Sequence, residues 1–251
     1  MADIIVTGAG RGIGYFMTEQ FLEDGNRVAV LDTETDGLEK LARRFPGRLV
    51  FYRTDVREEK QIQSAVDAAV ETFGKVDAAV HNACCCPFVW EKDAALSVYE
   101  KAFDVNYYGA LRLAKCVLPH MRARKGGRVI FTSSGVGVTG FAGISAYAST
   151  KGALESLAKC MNLECVKDGI SFHIFHPPLT RTQSSASLPV PEEFMADPEK
   201  VGRGLAKNAF SGQFVICHSM VQKLQMSVCY LFPVKMGKLM TKMTMRCIDA
   251  K

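Results

Sequence analysis

The chain has no apolar run approaching the ~18 residues of a membrane-crossing helix. An apolar strand opens at residues 3–6, so we expect no signal or transit peptide and a cytoplasmic protein. Charge of one sign is also lacking over most of its length. The net charge is +5, but residues 217–251 hold six basic residues (Lys223, Lys235, Lys238, Lys242, Arg246, Lys251) against Asp249 alone. Residues 1–216 therefore sum to zero and offer no broad basic footprint for nucleic acid. The nine cysteines, an odd number with three adjacent at Cys84, Cys85 and Cys86, do not form a secreted disulfide framework. They have no His or Cys partner at zinc spacing, so no metal is expected and small, polarizable packing is the better reading. Internal repeats, low-complexity linkers and charge blocks are absent. What is present is a composition 48% hydrophobic and 23% charged, which suits one α/β domain with a large core.

Strand and helix patterns alternate along the chain. Short apolar runs at 4–6, 27–31, 49–52, 78–81, 128–132, 170–175 and 213–217 read as strands. Helical periodicity fills 13–23, 35–45, 58–73, 99–122 and 146–166, and glycines at 25, 74 and 169 close three of these segments. Asp197 followed by Pro198 starts another helix, running to 208. This order predicts a single doubly wound parallel sheet, Rossmann-like, with helices on both faces. Residues 1–216 would be a dinucleotide-binding catalytic domain and 217–251 a basic, Met-rich helical extension of it. In such sheets ligands bind at the carboxyl ends of the strands.

Two motifs carry chemistry. Residues 7–14 read TGAGRGIG between the first strand and first helix. Glycines there let the backbone approach a pyrophosphate, and the helix N-terminus supplies donors. Asp32 ends the second strand, where an acid can bind ribose hydroxyls and repel a 2′-phosphate. Arg11 in the turn is the counter-indication, since it could meet such a phosphate. The second motif is Tyr147-Ala-Ser-Thr-Lys151. Tyr and Lys four apart share one helix face. A cation beside the phenol would lower its pKa toward neutrality and make it a usable proton donor and acceptor. Ser134 follows the fifth strand, where its hydroxyl could bind a carbonyl oxygen beside that phenol.

Taken in order, these residues resemble the short-chain dehydrogenase/reductase family over about residues 3–216. The turn at 7–14 matches, with Gly8, Arg11, Gly12, Ile13 and Gly14 against the cofactor. Asp55-Val56 looks like the pair that contacts adenine. His81-Asn82-Ala83-Cys84 is similar to the family's Asn-Asn-Ala-Gly, Asn106 to its helical Asn, and Pro177-Pro-Leu-Thr180-Arg-Thr182 to its nicotinamide loop. Ser134, Tyr147 and Lys151 complete a tetrad with Asn106. The resemblance implies that Tyr147 exchanges a proton with a carbonyl or alcohol oxygen as hydride moves to or from the nicotinamide. Lys151 would tune Tyr147 and hold the ribose, Ser134 would bind the substrate oxygen, and Asn106 would fix a water relaying protons from Lys151. It further implies a homotetramer or homodimer built on the helices at 99–122 and 146–166. Apolar Leu154, Leu157, Ala158 and Met161 stripe the second of these.

The departures are Cys84 for Gly, His81 for Asn and Pro178 for Gly, which puts cofactor geometry rather than the tetrad in question. NAD is expected over NADP. Phe88, Val89 and Trp90 suggest an apolar carbonyl or alcohol substrate, although core packing explains them equally well. His176 reads as a strand-end histidine, and residues 182–191 as a lid or an inert surface loop. In the tail, a helix after Pro233 would group Met236, Leu239, Met240 and Met243 beside a basic stripe. That pattern fits either packing on a subunit or contact with an anionic membrane surface. The alternative functions are a non-catalytic dinucleotide sensor or scaffold, which would need the glycine turn but no Tyr-Lys pair, and a membrane-peripheral lipid ketone reductase.

Overall fold

The computed structural model describes residues 1–249; Lys251, counted in the basic tail, lies outside them. The strands are β1 (Asp3–Thr7), β2 (Arg27–Asp32), β3 (Leu49–Arg53), β4 (Ala78–His81), β5 (Gly127–Thr132), β6 (Ile170–His176) and β7 (Val215–Cys217). They form one parallel sheet in the order β3-β2-β1-β4-β5-β6-β7. The order reverses between β1 and β4, which opens a crevice at their carboxyl ends. Parallel strands are buried on both faces, which is why they read as continuous apolar runs. Successive residues of β1 then serve opposite cores. Ile5 joins Ala29, Val66, Leu113 and Leu154 on one face. Ile4 and Val6 join Met17, Phe21, Val201 and Leu205 on the other.

The first face is covered by α3 (Glu59–Phe73), α5 (Gly109–Ala123) and α7 (Ser145–Cys165). The second is covered by α1 (Gly12–Glu23), α2 (Leu38–Arg44) and α8 (Pro198–Asn208). Asp197 caps α8 by accepting the Glu199 N–H, and Pro198 stands in the first turn. α8 crosses α1 at Gly202, where an added Cβ would stand 2.5 Å from the Ile13 carbonyl oxygen. Arg203 beside it pairs with Glu19 and Glu199.

Three local expectations are revised. α2 begins at Leu38 rather than 35, because residues 36–37 form a turn closed by the Leu38 N–H donating to the Thr35 carbonyl (2.9 Å). The helix expected over 99–122 is α4 (Leu96–Phe103), a π-helical turn at Asp104–Tyr108, and then α5. Asn106 in that turn reaches the Cys85 main chain rather than pointing along the helix. On α7, Leu154 and Ala158 are buried, and Leu157 and Met161 pack on the same core, so this stripe faces its own sheet.

A short helix, α6 (Val136–Thr139), follows β5. The tail is two helices, α9 (Met220–Leu231) and α10 (Pro233–Asp249). α10 lies on α6 through Gly237, whose added Cβ would stand 2.5 Å from the Thr139 carbonyl oxygen, and through Thr241, which accepts the Ala142 N–H. The packed face of α10 is therefore Gly237, Met240, Thr241 and Thr244, while Leu239 and Met243 are exposed. No helix among the described residues is long and apolar enough to cross a membrane.

Candidate active site

A cleft of about 540 Å³ runs along the carboxyl ends of the strands. At its far end is the turn between β1 and α1. Gly8 has φ +66°, and a Cβ there would lie 2.4 Å from the Ala83 backbone. Only glycine accommodates both conditions. Asn82 Nδ2 donates to the Gly8 carbonyl (2.7 Å), which straps the turn to the end of β4. Gly14 does not line the cleft. A Cβ there would meet the Gly8 carbonyl oxygen at 2.3 Å, so its bareness lets α1 sit on the turn. Gly12, Ile13 and Arg11 do face the cleft.

Asp32 ends β2 in the same wall. Its carboxylate accepts the Gly10 N–H (2.7 Å) and the Glu34 N–H (2.9 Å), which fixes both oxygens at the cleft edge. Arg11 pairs with Glu34 at the surface. Further along, Asp55 and Val56 line the cleft with Asn82 and Ala83. Arg57 also lines it. Its guanidinium hydrogen-bonds Asp55 and holds that carboxyl below the usual carboxylate range.

At the near end, α7 carries Tyr147 and Lys151 one turn apart, facing Ser134 after β5. The Tyr147 hydroxyl faces Ser134 and lies beside Cys84. Lys151 is 1% exposed, and its Nζ donates to the Thr132 carbonyl (2.7 Å). That places Nζ over the Tyr147 ring, 5.4 Å from its centroid. The expectation that Lys151 draws the phenol toward neutrality is not met. Burial pushes Tyr147 well above its ordinary value, the nearby Cys84 and Cys86 add to this, and the neighbouring Ser134 hydroxyl offsets only part of it. Burial also pulls Lys151 down.

Asn106 is fully buried and does not line the cleft. Its amide brackets Cys85, accepting from the N–H (2.7 Å) and donating to the carbonyl (2.9 Å), and it also donates to Thr150 Oγ1 (3.0 Å). This bracket turns Cys84 and Cys86 toward the cleft, half-buried rather than enclosed. His81 packs against Gly109 and shares a hydrogen bond with Thr7 Oγ1 (3.0 Å). Burial, with the Lys151 charge behind it, pulls its pKa to about 3, so it is neutral.

The loop after β6 brings Pro177 and Thr180 to the cleft. Thr180 Oγ1 donates to the Pro178 carbonyl (2.7 Å), which stiffens a loop already short of N–H groups. Residues 182–188 continue the wall, and Ser185 Oγ ties them back to the Thr180 carbonyl (2.7 Å). Phe88 and Trp90 stand outside the cleft. Phe88 packs on Gly143 and stacks edge-on with Trp90. The apolar wall is instead built by Phe141, Ile144, Leu179, Leu188, Met226 and Met240. Two of these, Met226 on α9 and Met240 on α10, come from the tail.

The donor set suits a dinucleotide: main-chain groups at the start of α1, an acid at the end of β2, an apolar patch at Val56 and Val105, and a buried lysine beside a tyrosine. When bound, a nicotinamide supplies the hydride, and the protein supplies position and field.

Comparison with known proteins agrees. The family model described as short chain dehydrogenase matches residues 2–192, and the chain belongs to that family. It is similar to the oxidoreductase UcpA of Salmonella typhimurium, 33% identical over 207 residues, which cover 81% of this chain and 78% of that protein. A short-chain dehydrogenase structure from Streptomyces avermitilis superposes with a TM-score of 0.80 at 24% identity, covering 92% of each chain. The structure of ElxO with NADP bound gives a TM-score of 0.75 at 22% identity, covering 87% of this chain and 95% of that one. The two structures bear on the fold. As a family member, the protein is an NAD(P)-dependent oxidoreductase that moves a hydride between a nicotinamide cofactor and a carbonyl or secondary alcohol.

Proposed function

We propose that this enzyme is an NAD-preferring reductase or dehydrogenase for an apolar ketone or secondary alcohol, with Ser134, Tyr147, Lys151 and Asn106 as its tetrad. The observation that carries this reading is convergence. Ser134, Tyr147 and Lys151 share one wall of the cleft that begins at the glycine turn and Asp32. Tyr147 exchanges the proton with the substrate oxygen, Ser134 steadies the charge that grows on that oxygen, and Lys151 lies beneath the phenol ring. The side chain of Asn106 is spent on Cys85 and Thr150, so a water relay from Lys151 would use its main chain. Gly8, Gly12, Ile13, Asp55, Val56, Asn82, Ala83, Pro177 and Thr180 would hold the cofactor, with Gly14 shaping the turn behind them.

Asp32 supports NAD, because a 2′-phosphate beside its fixed carboxylate meets like-charge repulsion. Arg11 offsets this only in competition with Glu34, to which it is paired at the surface. The apolar lining from Leu179, Leu188, Met226 and Met240 supports an apolar substrate. NADH oxidation with a panel of apolar and polar ketones tests the reading. The expected result is turnover on apolar members, with kcat/KM at least tenfold higher for NADH than for NADPH, the scale of one uncompensated charge contact. Absence of turnover, or a preference for NADPH, overturns it.

The outer tail supports contact with an anionic membrane surface. Val221, Leu224, Leu231 and Phe232 are exposed beside Lys235, Lys238 and Lys242, and no acid intervenes before Asp249. Flotation with anionic vesicles should show binding that salt weakens and that removal of residues 233–251 abolishes. The nine free cysteines support a reducing, cytoplasmic setting. A homo-oligomer remains the family expectation, and light scattering at micromolar concentration tests it.

A further inference from the structure

Behind the cleft lies a second polar cluster that the proton chemistry does not use. Glu155 is one helical turn past Lys151, and His176 is the last residue of β6, immediately before Pro177. Both are buried. Glu155 Oε1 lies 3.0 Å from His176 Nε2 and accepts from Ser133 Oγ (3.1 Å). Glu155 Oε2 accepts from the Tyr230 hydroxyl (2.8 Å), which also stands 3.1 Å from His176 Nε2. Tyr230 belongs to α9. So does Gln222, whose Nε2 donates to the His176 carbonyl and whose Oε1 lies 3.3 Å from the His218 N–H. The tail thus holds His176 twice, once by its ring and once by its carbonyl. Among the described residues His176 Nδ1 has no hydrogen-bond partner, and the ring is held from its Nε2 side.

Resting on the cofactor reading above, we propose that Glu155, His176, Tyr230 and Gln222 form a latch by which α9 positions the Pro177–Thr180 loop against the nicotinamide end of the cleft. They are positioning residues, and none exchanges a proton with substrate. Proline at both 177 and 178 removes two N–H groups that could otherwise anchor this loop. The residue that enters the loop must then be fixed from outside, and the tail does so. A carboxylate that receives three donors is a strong anchor, because hydrogen bonds to an ionised group exceed neutral ones about twofold. The inner side of α9 also presents Gln225 and Met226 to the cleft, so the latch sets the pocket wall and the loop together.

The test compares full-length protein with Tyr230→Phe, which deletes one hydroxyl and keeps the ring. Gln222→Met serves as a second variant that releases the His176 carbonyl. Hydrogen exchange is read at the amides of residues 179–188 and, as reference, at those of β1 and β2. Exchange at 179–188 should rise on the order of tenfold in each variant, with the reference strands unchanged. The dissociation constant and KM for NADH should rise by about five- to tenfold, while kcat at saturation changes by less than that. Unchanged exchange at 179–188 overturns the latch. A uniform rise across the whole chain overturns it as well, since that is general destabilisation. If wild-type protein bound no NADH, the cofactor reading would fail, while the exchange comparison would still decide the latch.

Discussion

Two serine–tyrosine groups stand back to back on the same frame. Ser134 and Ser133 are consecutive, Lys151 and Glu155 are one turn apart on α7, and Tyr147 and Tyr230 cap the two groups. The first group opens on the cleft, and its tyrosine hydroxyl meets a serine and a thiol. In the second, Glu155 takes three donors, and only Tyr230 reaches solvent. Similar side chains therefore do opposite work. Polar groups that satisfy one another hold structure, and polar groups that keep capacity toward a cleft can act on a ligand.

The difference can be broken from either side, and the sealed group should give the larger effect. Glu155→Ala removes a buried carboxylate and leaves His176, Tyr230 and Ser133 without their acceptor. We expect a loss of about 3–5 kcal/mol in unfolding free energy by denaturant melts. The pH dependence has a definite sign. Burial works to raise the Glu155 carboxyl, but the His176, Tyr230 and Ser133 hydrogen bonds hold it below its ordinary value. Its contribution is therefore present above the unfolded value of ~4.3 and is lost as pH falls through the folded value. A wild-type melt that showed no acid-side loss relative to Glu155→Ala would remove the charge from the argument.

Next comes the open group. Tyr147→Phe should lower turnover at least ~100-fold, the scale of general acid–base catalysis, while leaving the denaturation midpoint close to wild type. A large midpoint shift would mean that the open group is structural after all. The last effect is a slope. Because burial raises the Tyr147 phenol above its ordinary value, the group is protonated through the neutral range. Carbonyl reduction, which needs that proton, should be nearly flat between about pH 6 and 8. Alcohol oxidation needs the phenolate, so its kcat should climb about tenfold per pH unit over the same range. A plateau in oxidation at neutral pH would show that bound ligands lower the phenol.

The open group was legible in the chain because its information is local. Residues 7–14 and the Tyr147–Lys151 spacing are complete within one turn or helix, and the strands follow from apolar runs a few residues long. The sealed group was not, since Glu155, His176 and Tyr230 come from three distant segments and share no spacing rule. His176 read correctly as a strand end, but nothing nearby announced its partners. The same limit explains Phe88 and Trp90, which are apolar and follow β4, yet Phe88 turns to Gly143 and Trp90 stacks on Phe88. It also explains Tyr147, where the local Lys151 rule was outweighed by burial, a property of the assembled fold. On α10 the apolar pattern grouped Leu239 with Met240, but the helix docks through Gly237 and the two part company.

The crossing at Gly202 reaches further than its place on the surface of the sheet suggests. Main chain meets main chain there, so the junction has no side chain to yield and behaves as a rigid pivot. One arm is α1, whose first turn lines the far end of the cleft. The other arm is α8, whose cap Asp197 follows Ala196 and its bridge to Thr180 in the opposite wall of the cleft. Thr182 closes the circuit, its methyl standing 3.3 Å from where a Cβ on Gly12 would be. A methyl group added at Gly202, outside the cleft, would therefore push apart two helices that each lead to one of its ends.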